Sequence, residues 1–257
     1  MSNDEHISRL SYDEIISVAQ AKAKELRSTL PTLPSDEELE PYEGKMWTID
    51  RPLIDAVQRH LDKHEQAHGH SFDEHHSWVA KLGAYVADKE CESKGIRGEL
   101  REDIIQRTWR LGLLHDIERW LGCTPLHQIE GLKQTRIELR NLSIKDRYLE
   151  DQVLLHDNLE VQTRNNPAFD VPFFSVFAVD HLSWGREWER EKWEGLRRKN
   201  TNPGEAIHDY KFLYKLQQSS NLQQTNWGKN VALPYINFGI KIAEHVEKTF
   251  SSKTIIS

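Results

Sequence analysis

Two residue types that bind metal ions stand side by side at the end of an apolar run. His115 and Asp116 follow the segment Leu111-Gly-Leu-Leu114. An ionised carboxylate at a buried helix end is costly unless a cation or another partner compensates its charge. Adjacent side chains of a helix diverge by about 100°, so His115 and Asp116 can meet one ion only if other parts of the chain supply further ligands.

Several other segments repeat this pattern of an apolar run that ends in an imidazole or a carboxylate. His156 and Asp180 each end such a run, and His127 follows the turn at Pro125. His75 lies on the apolar face of a predicted helix, although the adjacent His76 could serve in its place. The candidate metal ligands, in chain order, are His75, His115, Asp116, His127, His156 and Asp180.

The chemistry of these side chains indicates which ions they would hold. Neutral imidazole and carboxylate suit Fe²⁺ and Mn²⁺, and Mg²⁺, Zn²⁺, Ni²⁺ and Co²⁺ are also compatible. The absence of thiolates argues against a purely structural zinc site. One ion that must also bind water does not normally take six protein ligands. Two divalent ions bridged by Asp116 are therefore the simplest arrangement for these six residues. The alternative is that these residues are hydrogen-bonded core histidines and a capped helix end.

The elements that must position these residues are predicted to be helices throughout. The run Val171 to Asp180 could suit a strand, but no partner strand is evident, so a buried helix and an all-α fold are expected. A capping box at Ser11 to Glu14 begins an amphipathic helix that runs to about Thr29. The acidic stretch Ser35 to Gly44 is predicted to be an exposed linker. Further helices are predicted from about residue 50 and over about 73–95, 99–120, 126–142, 145–159, 205–218 and 231–250.

Composition and charge restrict the function classes. The chain has 34 basic and 41 acidic residues and a formal net charge of −7, which argues against general binding to nucleic acid or to a membrane surface. The two cysteines, Cys91 and Cys123, do not form a disulfide framework or a metal-binding spacing. No apolar run approaches the roughly 18 residues of a transmembrane helix. The first residues lack the apolar segment of a signal peptide, so we expect a cytoplasmic protein.

The candidate ligands occur in motifs that resemble a known family. The segments His75-His-Ser-Trp-Val-Ala80, Leu113-Leu-His-Asp-Ile117 and Val179-Asp180-His-Leu182 resemble the HD superfamily of metal-dependent phosphohydrolases over about residues 60–185. The added segments Pro125-Leu-His127 and Val153-Leu-Leu-His156 resemble its branch with two extra histidines and a dinuclear centre. That branch includes dinucleoside-tetraphosphate hydrolases and, more distantly, mixed-valence di-iron oxygenases.

The ordered set of motifs carries the resemblance, because a His-Asp dipeptide alone is a weak signal. The chain also contains His156-Asp157 and His208-Asp209. The resemblance implies an HD-domain helical bundle over residues 46–257, with extra C-terminal helices. The helix and acidic linker over residues 1–45 would then form an N-terminal extension.

The resemblance also implies an activity and a set of catalytic residues. The expected function is hydrolysis of a small phosphorylated molecule, such as a nucleotide or a dinucleoside polyphosphate, by metal-activated water. His115 and Asp116 would belong to the catalytic machinery. The family often has Gly-Lys where this chain has Glu118-Arg119, so Arg119 would replace the lysine. The candidate phosphate-binding residues are Arg119, Lys133, Arg136 and Arg140.

Two other functions remain open at this point. The same ligand set would serve a mixed-valence di-iron oxygenase, because the hydrolase and the oxygenase differ in metal redox state and open coordination site. A non-catalytic module that senses a nucleotide is the second alternative. The apolar faces of the terminal helices leave a homodimer open.

Overall fold

The described part of the chain is entirely helical. The computed structural model describes residues 11–64, 72–119, 125–198 and 203–252. Within these ranges there are eleven α-helices and no strand, which confirms the predicted all-α class. The helices are α1 (Tyr12–Leu26), α2 (Asp36–Ile49), α3 (Arg51–Lys63), α4 (Trp78–Ser93), α5 (Gly98–Leu114), α6 (Pro125–Asn141), α7 (Arg147–Leu155), α8 (Pro167–Glu187), α9 (Glu191–Arg198), α10 (Pro203–Gln218) and α11 (Leu233–Ser252). Short 3₁₀ or π segments cover Arg27–Thr29, Phe72–Ser77, Ser220–Gln223 and Gly228–Ala232.

Helix α8 is the central element of the fold. Asn166 caps it by accepting a hydrogen bond from the backbone N–H of Ala168 at 3.1 Å, and Pro167 occupies its first turn. The helix is apolar on all sides and packs against α4, α5 and α11, so the run Val171 to Asp180 is buried throughout. The predicted buried helix at this position is therefore confirmed.

Two apolar clusters lie on different sides of α8. Val176 and Val179 belong to the cluster formed with α2 to α7, and the other candidate ligands lie in or next to helices of this group. Phe173 and Phe177 belong to the cluster formed with α1, α9, α10 and α11. The C-terminal helices and α1 therefore support α8 from the side that does not carry the other candidate ligands.

Two glycines allow helix backbones to touch. A Cβ atom on Gly112 of α5 would lie 2.5 Å from the Cα of Ala80 in α4. A Cβ atom on Gly185 of α8 would lie 2.2 Å from the carbonyl oxygen of Tyr235 in α11. Any side chain at either position would overlap the neighbouring backbone, so these crossings fix how close the helices come.

The predicted linker over residues 35–44 is wrong, because these residues belong mostly to α2. Ser35 and Glu38 form a reciprocal capping box at its start. Leu39 and Met46 are buried against the cluster around α4, while the acidic side chains of the same stretch stay exposed. The capping box and the burial of two apolar residues outweigh the acidic composition and the interior Pro41.

The N-terminal helix α1 forms as predicted. Its capping box between Ser11 and Glu14 is present, and a 3₁₀ turn extends the helix to Thr29. Helix α1 packs against α9 and α11, and residue 45 lies inside α2. None of the described helices combines the length and the apolar character that crossing a membrane requires.

Candidate metal centre

The structure brings the six candidate ligands together in one buried cluster. His75 comes from the π segment before α4, and Asp180 comes from the middle of α8. His115 and His156 are the C-terminal cap residues of α5 and α7, and His127 lies in the first turn of α6. Asp116 follows directly after His115. All six residues are less than 9% exposed.

One half of the cluster consists of two histidines and two carboxylates. The Nε2 atoms of His75 and His115 are 3.2 Å apart. Oδ2 of Asp116 lies 3.6 Å from Nε2 of His75 and 3.7 Å from Nε2 of His115. Oδ1 of Asp180 lies 3.5 Å and 3.6 Å from the same two nitrogens. Four donor atoms from three segments therefore face one small volume.

The other half contains the remaining histidine pair. The Nε2 atoms of His127 and His156 are also 3.2 Å apart. Oδ1 of Asp116 lies 3.0 Å from Nε2 of His156 and 3.7 Å from Nε2 of His127. Asp116 thus directs one carboxylate oxygen toward each histidine pair, which is the arrangement of a bridging carboxylate.

Hydrogen bonds at two helix ends orient the imidazoles. Nδ1–H of His115 donates to the carbonyl oxygen of Gly112 at 2.9 Å, and Nδ1–H of His156 donates to that of Val153 at 2.6 Å. These carbonyls belong to the last turns of α5 and α7, where no intrahelical donor is available. In the neutral form each Nε2 then carries a lone pair directed into the cluster.

The spacing of the nitrogens matches that of atoms that share a metal ion. Two lone pairs 3.2 Å apart repel each other unless a proton or a cation lies between them. Metal–nitrogen bonds of about 2.0–2.1 Å at angles of about 90–109° place two nitrogens roughly 2.9–3.4 Å apart. Two groups of side chains that can hold a metal ion share Asp116: His75, His115, Asp116 and Asp180 form one, and Asp116, His127 and His156 form the other. The buried histidines and aspartates can therefore hold a metal ion.

The cluster's own charges shift several pKa values. Burial would raise the pKa of Asp116, but the charges of Arg119 and His115 hold it well below its usual range. Burial would lower the pKa of His156, yet the carboxylates of Asp157 and Asp116 raise it to about 9. The pKa of His75 is likewise raised, because contacts with Asp116 and Asp180 outweigh its burial. A metal ion that binds here must therefore displace protons from these imidazoles.

The structure favours His75 over His76 as the first ligand. Nε2 of His75 faces His115 and both carboxylates of its half-cluster. His76 instead directs its Nδ1–H to the carbonyl oxygen of Leu113 at 3.0 Å. This bond ties the π segment to the last turn of α5, so His76 orients the segment that carries His75.

Of the four predicted phosphate-binding residues, only Arg119 is brought to the cluster. Its Nη1 lies 3.5 Å from Oδ1 of Asp116 and 3.5 Å from Oδ2 of Asp157. The guanidinium is therefore a cationic group next to the carboxylate of Asp116. It stands at the position of the lysine that the resembled family often has.

The other three predicted phosphate-binding residues, Lys133, Arg136 and Arg140, lie on the exposed face of α6. They share a face, as the sequence predicts, but that face is rotated by about 180–240° around the helix axis from His127. Lys133 pairs with Glu130 at 2.6 Å, and Arg136 pairs with Glu150 at 2.7 Å. Packing decides the orientation, because Gly131, Thr135 and Leu139 turn toward the interior together with His127.

Sequence reasoning missed Asp157. Its Oδ2 lies 3.1 Å from Nε2 of His127, and its Oδ1 lies 3.6 Å from Nε2 of His156. The available signal was the dipeptide His156-Asp157, which has the same residues as His115-Asp116 and also follows an apolar run.

A second missed feature is the pair formed by His60 of α3 and Glu118. Nε2 of His60 lies 2.9 Å from Oε1 of Glu118, and both side chains are largely buried. The pair ties α3 to the turn that carries Asp116. Cys91 is a buried free thiol, and Cys123 lies outside the described residues.

Comparison with known proteins does not assign a family. No family model matches the sequence, and neither the curated proteins nor the solved structures yield a match. The helical fold and the buried histidine–aspartate cluster are consistent with a site of the HD type. The assignment to that superfamily remains a resemblance of motifs.

Proposed function

We propose that this protein is a metal-dependent phosphohydrolase that acts on a small phosphorylated molecule such as a nucleotide or a dinucleoside polyphosphate. The observation that carries the proposal is the position of Asp116, which has one oxygen on each of two histidine pairs. Such an arrangement suits two divalent ions a few ångströms apart. Pairs of this kind are used in enzymes that cleave phosphate esters and anhydrides.

Bound ions would lower the pKa of water and offset the charge of the reacting phosphate. The protein's own contribution is to hold the ligands and to supply Arg119. Two divalent ions and one guanidinium outweigh the charge of the three carboxylates Asp116, Asp157 and Asp180. The loaded site would therefore attract an anionic substrate.

We infer the direction of substrate entry from the exposure of the side chains. His115 and His127 are at most 1% exposed, whereas the side chain of Asp157 is 28% exposed. Arg119, at 13%, lies between Asp157 and the bridging Asp116. A phosphate that approaches from the side of Asp157 therefore reaches the Arg119 guanidinium as it reaches the metal positions.

The proposal is tested by measuring phosphate release with protein loaded anaerobically with Fe²⁺ or Mn²⁺. The substrates are a phosphomonoester, nucleoside mono-, di- and triphosphates, and dinucleoside polyphosphates. We expect Asp116→Ala to lower kcat/KM on the order of 1,000-fold or more, because both ion positions lose a ligand. Asp151→Asn is the matched control, because Asp151 is an exposed residue of α7 that pairs with Arg164.

Two results would contradict the proposal. One is that metal-loaded wild-type protein leaves the whole panel intact. The other is that Asp116→Ala hydrolyses as fast as Asp151→Asn. Oxygen uptake together with a mixed-valence iron signal would identify an oxygenase instead.

A further inference from the structure

The two histidine pairs of the cluster differ in the number of carboxylates predicted for them. His75 and His115 face Asp116 and Asp180. The predicted set gives His127 and His156 only the second oxygen of Asp116. A buried divalent ion held by two neutral imidazoles and half of a shared carboxylate would be poorly neutralised, so a further anionic ligand is expected at the second pair.

The dipeptide His156-Asp157 repeats the local geometry of His115-Asp116. Each histidine caps the C-terminus of its helix with right-handed helical dihedrals, φ −54° and ψ −42° for His115 and φ −56° and ψ −33° for His156. Each donates its Nδ1–H to the carbonyl oxygen three residues earlier. In both cases the next residue is an aspartate whose carboxylate reaches the cluster. The negative ends of the α5 and α7 dipoles also meet here, which favours a cation.

Asp157 contacts both histidines of its half, as Asp180 does on the other half. Oδ1 of Asp180 lies 3.5 Å and 3.6 Å from the two Nε2 atoms of its pair. Asp157 directs one oxygen to each histidine, with Oδ2 3.1 Å from Nε2 of His127 and Oδ1 3.6 Å from Nε2 of His156. Asp157 and Asp180 also offer oxygens that lie within 4.8 Å of each other and of a His181 nitrogen. The two carboxylates thus lie at the same centre, one beside each histidine pair.

We propose that Asp157 is a metal ligand, so that the second position is built from His127, His156, Asp116 and Asp157 and takes a divalent transition-metal ion. Each half of the cluster then has two imidazoles, one carboxylate of its own and one oxygen of Asp116. The inference rests on the metal centre of the proposed function and gives it a seventh ligand.

The chain holds Asp157 firmly enough for this role. The side chain of Asn221 donates to the carbonyl oxygen of Asn158 at 2.7 Å and accepts the N–H of Val161 at 2.9 Å. The hydroxyl of Ser219 donates to the carbonyl oxygen of Leu159 at 2.6 Å. The segment after Asp157 is therefore fixed to the 3₁₀ turn before α11, which limits where the carboxylate can move.

The ion pair between Asp157 and Arg119 is the competing explanation, because a carboxylate could lie here only to balance a guanidinium. That role does not account for the 3.1 Å contact with His127, whereas metal ligation does. It also predicts that loss of Asp157 weakens metal binding by at most about 10–100-fold, which is the effect of a lost outer contact. The two explanations therefore predict different metal affinities for a variant that lacks the Asp157 carboxylate.

The test is metal binding, measured without reference to activity. Apo protein is titrated anaerobically with Mn²⁺ by calorimetry, and the bound metal is counted by elemental analysis after gel filtration. For wild type we expect two equivalents. Asp157→Ala should retain one equivalent with the wild-type Kd and bind the second at least about 100-fold more weakly, because a lost ligand costs more than a lost outer contact. The paramagnetic resonance spectrum should change from a spin-coupled pair to isolated Mn²⁺.

Matched variants distinguish loss of a metal ligand from a general effect on the protein. Asp157→Asn preserves size and should also weaken the second site, Asp180→Ala should weaken the first site instead, and Asp151→Asn should leave both unchanged. Circular dichroism confirms that each variant is folded. If Asp157→Ala and Asp157→Asn both bind two equivalents with unchanged Kd while His156→Ala loses one, Asp157 is not a ligand. If wild-type protein binds no metal, the proposed function itself fails.

Discussion

Protons and a bound metal ion would compete for the same nitrogens at this cluster, most clearly at His156. Burial lowers its pKa, but the neighbouring charges of Asp157 and Asp116 raise it to about 9. The imidazolium form stabilises the protein without metal, whereas metal binding requires the neutral form. The same residue therefore contributes oppositely to apo stability and to metal affinity as pH changes.

We predict that the apo protein loses stability between pH 6.5 and 9. A folded pKa above the unfolded value of about 6.5 contributes stability that is fully present below pH 6.5 and is lost as pH rises through about 9. The contribution of His156 is roughly 2–4 kcal/mol of unfolding free energy. Urea unfolding at pH 6.5, 7.5 and 9 measures it, and His156→Gln should show a flatter pH profile. An identical profile for both proteins would contradict this assignment.

The residues of the cluster were predictable to different degrees. The six candidate ligands could be selected from sequence because most of them end an apolar segment, while His75 lies on an apolar helix face and His127 follows the turn at Pro125. Asp157 could not be separated from Asp209, since both follow a histidine in sequence. Only the position of His156 at a helix end, with Nδ1–H bonded to Val153, shows that its neighbour reaches the cluster. That information depends on the bounds of α7, which sequence patterns leave imprecise.

At the scale of elements, how closely α5 approaches α4 determines where His115 lies. Gly112 is one turn before the ligand and touches the backbone of Ala80. The carbonyl of the same glycine accepts the Nδ1–H of His115. A close helix crossing and the orientation of a ligand therefore depend on one residue.

We predict that Gly112→Ala destabilises the protein by about 1–3 kcal/mol, because the methyl group would push the two backbones apart. The variant should also weaken metal binding at the position of His75 and His115. Gly44→Ala is the control, since Gly44 lies in α2 with open space around its Cα. It should stabilise the protein by about 0.5–1 kcal/mol through helix propensity alone. Chemical unfolding measures the free energy of unfolding of the three proteins. Equal values for wild type and Gly112→Ala would contradict the close backbone contact between Gly112 and Ala80.

Helix α2 shows why elements are harder to predict than ligands. Pro41 and the run of acidic residues suggested a linker. The opposing signals are the capping box at Ser35 and two apolar residues, Leu39 and Met46, spaced seven apart. Two apolar residues favour a helix over a linker only if they can pack against another element. Here that element is α4. In addition, Tyr42 of α2 donates to Asp88 of α4 at 2.7 Å, a bond between residues 46 positions apart.

At the scale of the molecule, the candidate ligands come from five segments between residues 75 and 180. An ion that binds them joins these segments only in the folded state, so it must stabilise that state. At a free metal concentration of 100 times Kd the gain is about 2.7 kcal/mol per site. Removal of both ions with a chelator should therefore lower Tm by roughly 10–20 °C for a chain of this size. Scanning calorimetry measures the shift, and Asp116→Ala should show little or none.

The hydrogen bonds of Asn221 limit how short a gene segment can be if it is to encode the intact cluster. A gene segment that encodes every proposed ligand could stop soon after Asp180. Such a segment would lack Asn221, whose buried side-chain amide bonds to the carbonyl of Asn158 and the N–H of Val161. These two backbone groups would then be unpaired, next to the segment that carries His156 and Asp157. The smallest portion of this gene that can be copied, fused or exchanged with the cluster intact therefore extends at least to codon 221, well past Asp180.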